Sequence, residues 1–218
     1  IIMNILIINQ PPFNRGDESA HKGLVRTLVM KLPQAKIKIM SNQWQSESIR
    51  QYAVKNENVE YITSTTSFHD YNLFLWHGIN IDRYGLLKYR PSIYKLKKIY
   101  NWADIVICAP GGICMGGFQN WNHLMHLKLA KVFNKPLVYY GRSFGPFPTE
   151  TKSNREFKRI SLEMLNYFSF LSIRDRKSEQ LAEELGFSYI STVDSAFLDS
   201  PQVEIPYELK YVIGDKPY

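Results

Sequence analysis

The sequence predicts an α/β layered fold built on a mostly parallel sheet. Three observations carry the prediction. Short apolar, β-branched runs alternate with longer segments of helical period along nearly all of the 218 residues. Polar, glycine-bearing stretches follow the strand segments, and in parallel sheets ligands sit off the carboxyl ends of the strands. No apolar run approaches the roughly 20 residues that a bilayer span requires.

The elements follow in order. Residues 3–9, "MNILIIN", read as a buried strand. A helix is expected from about Glu18 to Leu32, with Asp17 as N-cap, Ala20, Leu24 and Leu28 on one face, and Pro33 as the stop. "AKIKIM", 35–40, alternates as a strand does, "SESIRQYAV", 46–54, suits a short helix, and "VEYIT", 59–63, is a third strand. Residues 66–92 are less regular, and "YNLFLWHG" fits a strand or part of a helix. Residues 92–103 form a helix through Ile93, Leu96, Ile99 and Tyr100, and 104–112, "DIVICAPGG", form a strand with a glycine turn. Then come a helix at 122–134, a strand at 136–141, a helix at 154–168, a strand at 170–175 and a helix at 176–186 with Gly186 just past its end. A seventh strand is expected to open at 189–198, "YISTVDSAFL". These elements make residues 1–199 one domain, and the proline-rich 200–218 reads as a linker.

Composition narrows the partners. A net charge of +7 favours anionic ligands, yet the basic residues are scattered and no nucleic-acid-binding signature is present, so no nucleic acid is expected. Aromatic residues reach 14%, which suits sugar-facing loops as well as a heavy core. The two cysteines, Cys108 and Cys114, form neither a disulfide framework nor a zinc spacing, and no metal is expected. No leader-type segment is apparent, and the chain reads as cytoplasmic.

Five loops could carry chemistry. In "NQPPFNRGD", Asn14, Arg15 and Gly16 precede a helix start where free N–H groups favour an anion, or else Asn14 and Asp17 only cap the turn. Gly111 and Gly112 of "APGGICMGG" let the backbone approach a ligand, or make only a tight turn. In "GRSFGPF", Arg142 and Ser143 lie inside an irregular loop, and Arg142 is either a phosphate or carboxylate clamp or an ordinary surface arginine. Arg174, at the mouth of an apolar strand, must bind an anion or pair with an acid, and Asp194 of "DSAFLD" is the candidate acid. His77, His123 and His126 are further proton-transfer candidates, but no nucleophilic triad order can be defended.

Taken together, "NRGDESAHKGL", "APGGICMGG", "YYGRSFGPF", "SIRDRKSEQLAEELG" and "DSAFL" resemble the polysaccharide pyruvyl transferase family in order and approximate spacing. The chain departs from the family pattern at Arg142, where glutamine is common, and at Ser195, where proline is common. The resemblance implies a Rossmann-like first lobe of a two-lobed, GT-B-like enzyme, with the linker leading toward a second lobe. It implies transfer of a carboxyethylidene group from phosphoenolpyruvate to a sugar of an exopolysaccharide or surface glycan, with no cofactor beyond that donor. It makes Arg174 the best candidate for a catalytic anion clamp. Asn14, Gly16, Asp17, Gly111, Gly112, Arg142, Ser143 and Asp194 are then candidates for substrate contact. The acceptor would be a sugar or lipid-linked glycan, through which the enzyme would associate with the inner face of a membrane. A nucleotide-sugar glycosyltransferase and a non-catalytic glycan-binding domain are the alternatives on the same architecture.

Overall fold

A computed structural model of the chain describes residues 2–11, 15–41, 53–64, 66–80, 84–112 and 114–199. The strands are β1 (Asn4–Ile8), β2 (Lys36–Ser41), β3 (Val59–Thr63), β4 (Ile105–Cys108), β5 (Leu137–Arg142), β6 (Phe170–Ile173) and β7 (Ile190–Ser191). The helices are α1 (Arg15–Lys31), α2 (Phe68–Asn80), α3 (Pro91–Trp102), α4 (Trp121–Val132), α5 (Lys152–Tyr167) and α6 (Arg176–Glu184). All strand pairings are parallel, in the order β3-β2-β1-β4-β5-β6-β7. The chain thus builds outward from β1 in one direction and from β4 in the other. Between them lies the switch point, the place in an open parallel sheet where ligands commonly bind.

Burial on both faces explains why β1 is apolar throughout rather than alternating. Leu6 and Ile8 join a large core that contains Phe74 of α2, Ile93 and Leu96 of α3, Leu124 and Leu127 of α4, and Phe157 and Ile160 of α5. Ile5 and Ile7 join a smaller core on the opposite face, with Leu24 and Val25 of α1.

Local chemistry sets the helix starts. Ser67 and Asp70 form a reciprocal capping box at α2: Ser67 N–H donates to Asp70 Oδ2 at 2.9 Å, and Asp70 N–H donates to Ser67 Oγ at 3.1 Å. This box settles the segment "YNLFLWHG" as helix. Pro91 occupies the first turn of α3, where its missing N–H costs nothing. Asn120, Thr151 and Asp175 cap α4, α5 and α6 through side-chain oxygens.

Three expectations are corrected or fall elsewhere. Helix α1 begins at Arg15, so Asp17 lies inside its first turn and is not the N-cap. The seventh strand is only Ile190–Ser191, and Ser195–Leu198 is a 3-10 helix. There Asp194 accepts from Ala196 N–H at 3.0 Å, and the buried Ser195 hydroxyl donates to Ala20 O at 2.7 Å, which turns the chain onto α1. Of the expected helix at 46–54, residues 46–52 lie outside the described residues, and Ala53 and Val54 are not helical. The linker 200–218 also lies outside them.

Candidate functional site

The loops that follow β1, β4, β5, β6 and β7 meet along the carboxyl edge of the sheet. Gly111 is the closest meeting point. Its φ of +150° lies in the range that glycine favours, and a Cβ there would stand 3.1 Å from Pro11 Cγ, 3.3 Å from Asp17 Oδ1 and 3.4 Å from the Arg142 guanidinium. Three loops therefore pack at this one residue. Asn14 lies outside the described residues; Gly16 is exposed in the first turn of α1 beside Asp17.

Arg142 departs from expectation. It is fully buried, neither a surface arginine nor a clamp open to a ligand. Its guanidinium donates to Ala109 O, to Gly112 O at 2.8 Å and to Cys114 Sγ at 3.2 Å. The physical reason is the glycine turn, which points two carbonyls inward where no secondary structure can pair them. The planar, always-charged fork of arginine satisfies both. Arg142 thus holds the β4 loop in shape.

Arg174 forms an ion pair with Asp194, and both side chains stay partly open to solvent. The acid proposed from the sequence is therefore its partner, and the pair sits at the mouth of the edge. Next to it, burial opposes ionisation of Asp175. Hydrogen bonds from Ser143 and Ser178 and the Arg174 charge still hold its carboxyl below the usual range. Ser178 Oγ also accepts from Phe144 N–H at 3.0 Å, which ties the β5 loop to the start of α6. Ser143 itself is almost completely covered.

Of the three candidate histidines, His77 is half-buried on α2 and the other two are interior groups. His123 and His126 are both buried, and burial lowers both pKa values, that of His126 to about 4. His123 Nε2 lies 3.7 Å from Cys108 Sγ, a contact that spacing alone did not reveal. Burial pushes the Cys108 thiol up to about 11, against the charge of Arg142, so it stays a thiol at neutral pH. Asn9, at φ +59°, reaches across the switch point to donate to His123 O at 3.0 Å. These groups bind the β1 and β4 loops together beneath the edge.

A concavity of about 480 Å³ opens on the same edge, between the starts of α2 and α4. Ser64, Thr66, Phe68, Phe118, Gln119 and Asn120 help to line it. Sequence reading passed over it. Its signal was two aromatic residues set among hydroxyls and amides, "STTSF" and "GGFQN", separated by some fifty residues.

Among the described residues no group of three or more His, Cys, Asp or Glu is placed to hold a metal ion. No described helix is long and apolar enough to cross a membrane.

A family model described as polysaccharide pyruvyl transferase matches residues 14–217. No curated protein matches significantly. Among solved structures, a short-chain dehydrogenase/reductase (wide type) from Veillonella parvula DSM 2008, in complex with NADP, is 10% identical with a TM-score of 0.38, covering 99% of this chain and 89% of its own. A Tyr-to-Phe variant of ElxO with NADPH bound is 11% identical with a TM-score of 0.36, covering 93% of each chain.

Proposed function

Because the chain belongs to the polysaccharide pyruvyl transferase family, an enzyme family, we propose that it transfers a carboxyethylidene group from phosphoenolpyruvate to a vicinal or 1,3-diol of a glycan. Both hydroxyl oxygens of the acceptor bond to C2 of the enol, and the C2–O bond to phosphate breaks. One hydroxyl proton ends on C3, which becomes the methyl group, and the other leaves with phosphate as hydrogen phosphate. Charge balances, since a trianionic donor gives a monoanionic ketal and a dianionic phosphate.

The observation that carries this reading is the convergence of the family-like loops on one sheet edge around Gly111 and the Arg174–Asp194 pair. Arg174 is the cation at this mouth. A donor phosphate or carboxylate exchanges for Asp194 as its partner, and a two-pronged guanidinium suits either group. The N–H groups at the start of α1, near Gly16 and Asp17, and those of Gly111 and Gly112 add donors. Arg142 and Ser143 keep the loops in place behind them. No cofactor beyond the donor is invoked. A glycan acceptor carried on a lipid would place the enzyme at the cytoplasmic face of a membrane.

The test is a calorimetric titration with phosphoenolpyruvate, joined to phosphate release in the presence of acceptor glycans. Arg174→Ala should weaken donor binding at least tenfold, since removing one partner of a charged contact costs about 2 kcal/mol or more. Arg174→Lys should recover part of it. Equal binding by wild type and Arg174→Ala would overturn the assignment of Arg174. Release of a nucleoside diphosphate from a nucleotide sugar would replace the reaction.

A further inference from the structure

We propose that the cleft between the starts of α2 and α4 is a subsite for a neutral sugar ring, which Phe68 and Phe118 clasp by their faces. That the bound ring is the acceptor of the transfer rests on the function proposed above; that the cleft takes a sugar does not.

Three features of the wall point to this ligand. Phe68 and Phe118 are 79% and 66% exposed, although nothing in the turn or cap chemistry around them requires a large ring in solvent. Between them the wall is polar but uncharged, being made of Ser64, Thr66, Gln119 and Asn120 among the described residues. A phosphate or carboxylate would meet no cation there and would lose its hydration without return. A purely apolar ligand would leave the hydroxyls and amides unpaired. A pyranose offers both kinds of surface: C–H faces that stack on aromatic rings, and equatorial hydroxyls that exchange hydrogen bonds with amides.

The third feature is an unfilled donor. Gln119 Nε2 is buried at the atom level and has no hydrogen-bond partner. The acceptor side of the wall is held in place from behind. Ser64 Oγ sits 2.8 Å from Thr66 Oγ1 and 3.4 Å from His126 Nε2, and the other ring nitrogen of His126 lies 3.4 Å from the Tyr100 hydroxyl. Preorganised hydroxyls of this kind distinguish a ligand site from a chance dent. The volume of about 480 Å³ falls within the range of small-molecule sites.

Position ties the cleft to the donor edge. The loop after β4 runs from Gly111, which packs beside Asp17 and Arg142, to Phe118, Gln119 and Asn120 on the cleft wall. One loop thus lies along both sites. An acceptor sugar held in the cleft extends along this loop toward Gly111 and Arg174.

The experiment is saturation-transfer NMR on the full chain with methyl glycosides of glucose, galactose and mannose and their disaccharides, with methyl glucuronide as a charged comparator. Phosphoenolpyruvate titrations run in parallel. At least one neutral glycoside should give transfer, and Phe68→Ala/Phe118→Ala should cut its affinity tenfold or more. The variant's melting midpoint and its phosphoenolpyruvate affinity should change by little. Both rings are exposed, so their removal leaves the core intact. Absence of transfer from every neutral glycoside, preferential transfer from the glucuronide, or unaltered affinity in the double variant would overturn the subsite. Donor binding without sugar binding would sink the cleft alone. Sugar binding lost in the double variant, with no donor binding in wild type, would keep the cleft and sink the transferase reading.

Discussion

Replacing Arg142 with methionine tests whether one buried cation shapes the site. Methionine roughly keeps the length and flexibility of the side chain and removes every donor. The guanidinium serves the carbonyls of Ala109 and Gly112, and both lie in the glycine turn after β4. A hydrogen bond from a charged donor contributes about 1.5–3 kcal/mol, so two lost bonds amount to about 3–6 kcal/mol. Part of this returns, because the variant no longer buries a charge. The expected net loss is about 3 kcal/mol, against a total of about 5–15 kcal/mol for a typical domain. For a chain of this size that lowers the melting midpoint by about 6–12 °C. Urea unfolding measures the loss directly. Hydrogen–deuterium exchange at the amides of Gly111 and Gly112 reports on the loop itself and should accelerate in the variant. Arg142→Lys should fall between the two, since one ammonium reaches one carbonyl well. A methionine variant within about 1 kcal/mol of wild type, with those amides exchanging no faster, would refute the role assigned to Arg142.

Other outcomes follow from the same geometry. Gly23→Ala should destabilise by 2 kcal/mol or more by equilibrium unfolding, although alanine favours helix by about 1 kcal/mol, because the new Cβ would stand 1.9 Å from Ser195 O. A stability equal to wild type would show that the Ser195–Leu198 turn is not seated on α1. Asp175→Ala should cost about 1–2 kcal/mol through loss of the α6 cap, while Asp175→Asn keeps most of it; equal losses in the two would refute the capping account. Burial lowers His21 and His126 to about 4, so each takes up a proton more readily in the unfolded chain. Their contribution is present above the unfolded value near 6.5 and is lost as pH falls toward 4. At pH 5 each should cost about 2 kcal/mol relative to pH 7, and urea midpoints that stay level over that interval would contradict the burial of both rings.

The alternation of apolar runs with helical periods suffices to place β1 to β6 near their observed positions, and β1 and β4 are apolar because both of their faces are covered. The family-like segments were legible too, since a glycine with positive φ or a cap leaves a local mark: Gly111, Gly141 and Gly186 carry such backbone angles, and Asp175 caps its helix. The Arg174–Asp194 pair could be anticipated because an arginine ending an apolar strand needs an acid. The direction of a long side chain, by contrast, leaves no such mark. Arg142 looked the same as a surface clamp until two inward carbonyls from another loop decided its partners. The last strand stopped after two residues because the chain turns there to seat Ser195 on Ala20, a contact between residues far apart in the chain.

By itself, then, the sequence determined the layer architecture, the chain order of the loops and their shared place at one edge, since all of these follow from local periodicity and the rule that parallel strands present one set of ends. Only the tertiary structure decided which charged group turns inward and that Phe68 and Phe118 face a common cleft. Those depend on side chains brought together across long loops, whose contacts no local pattern encodes.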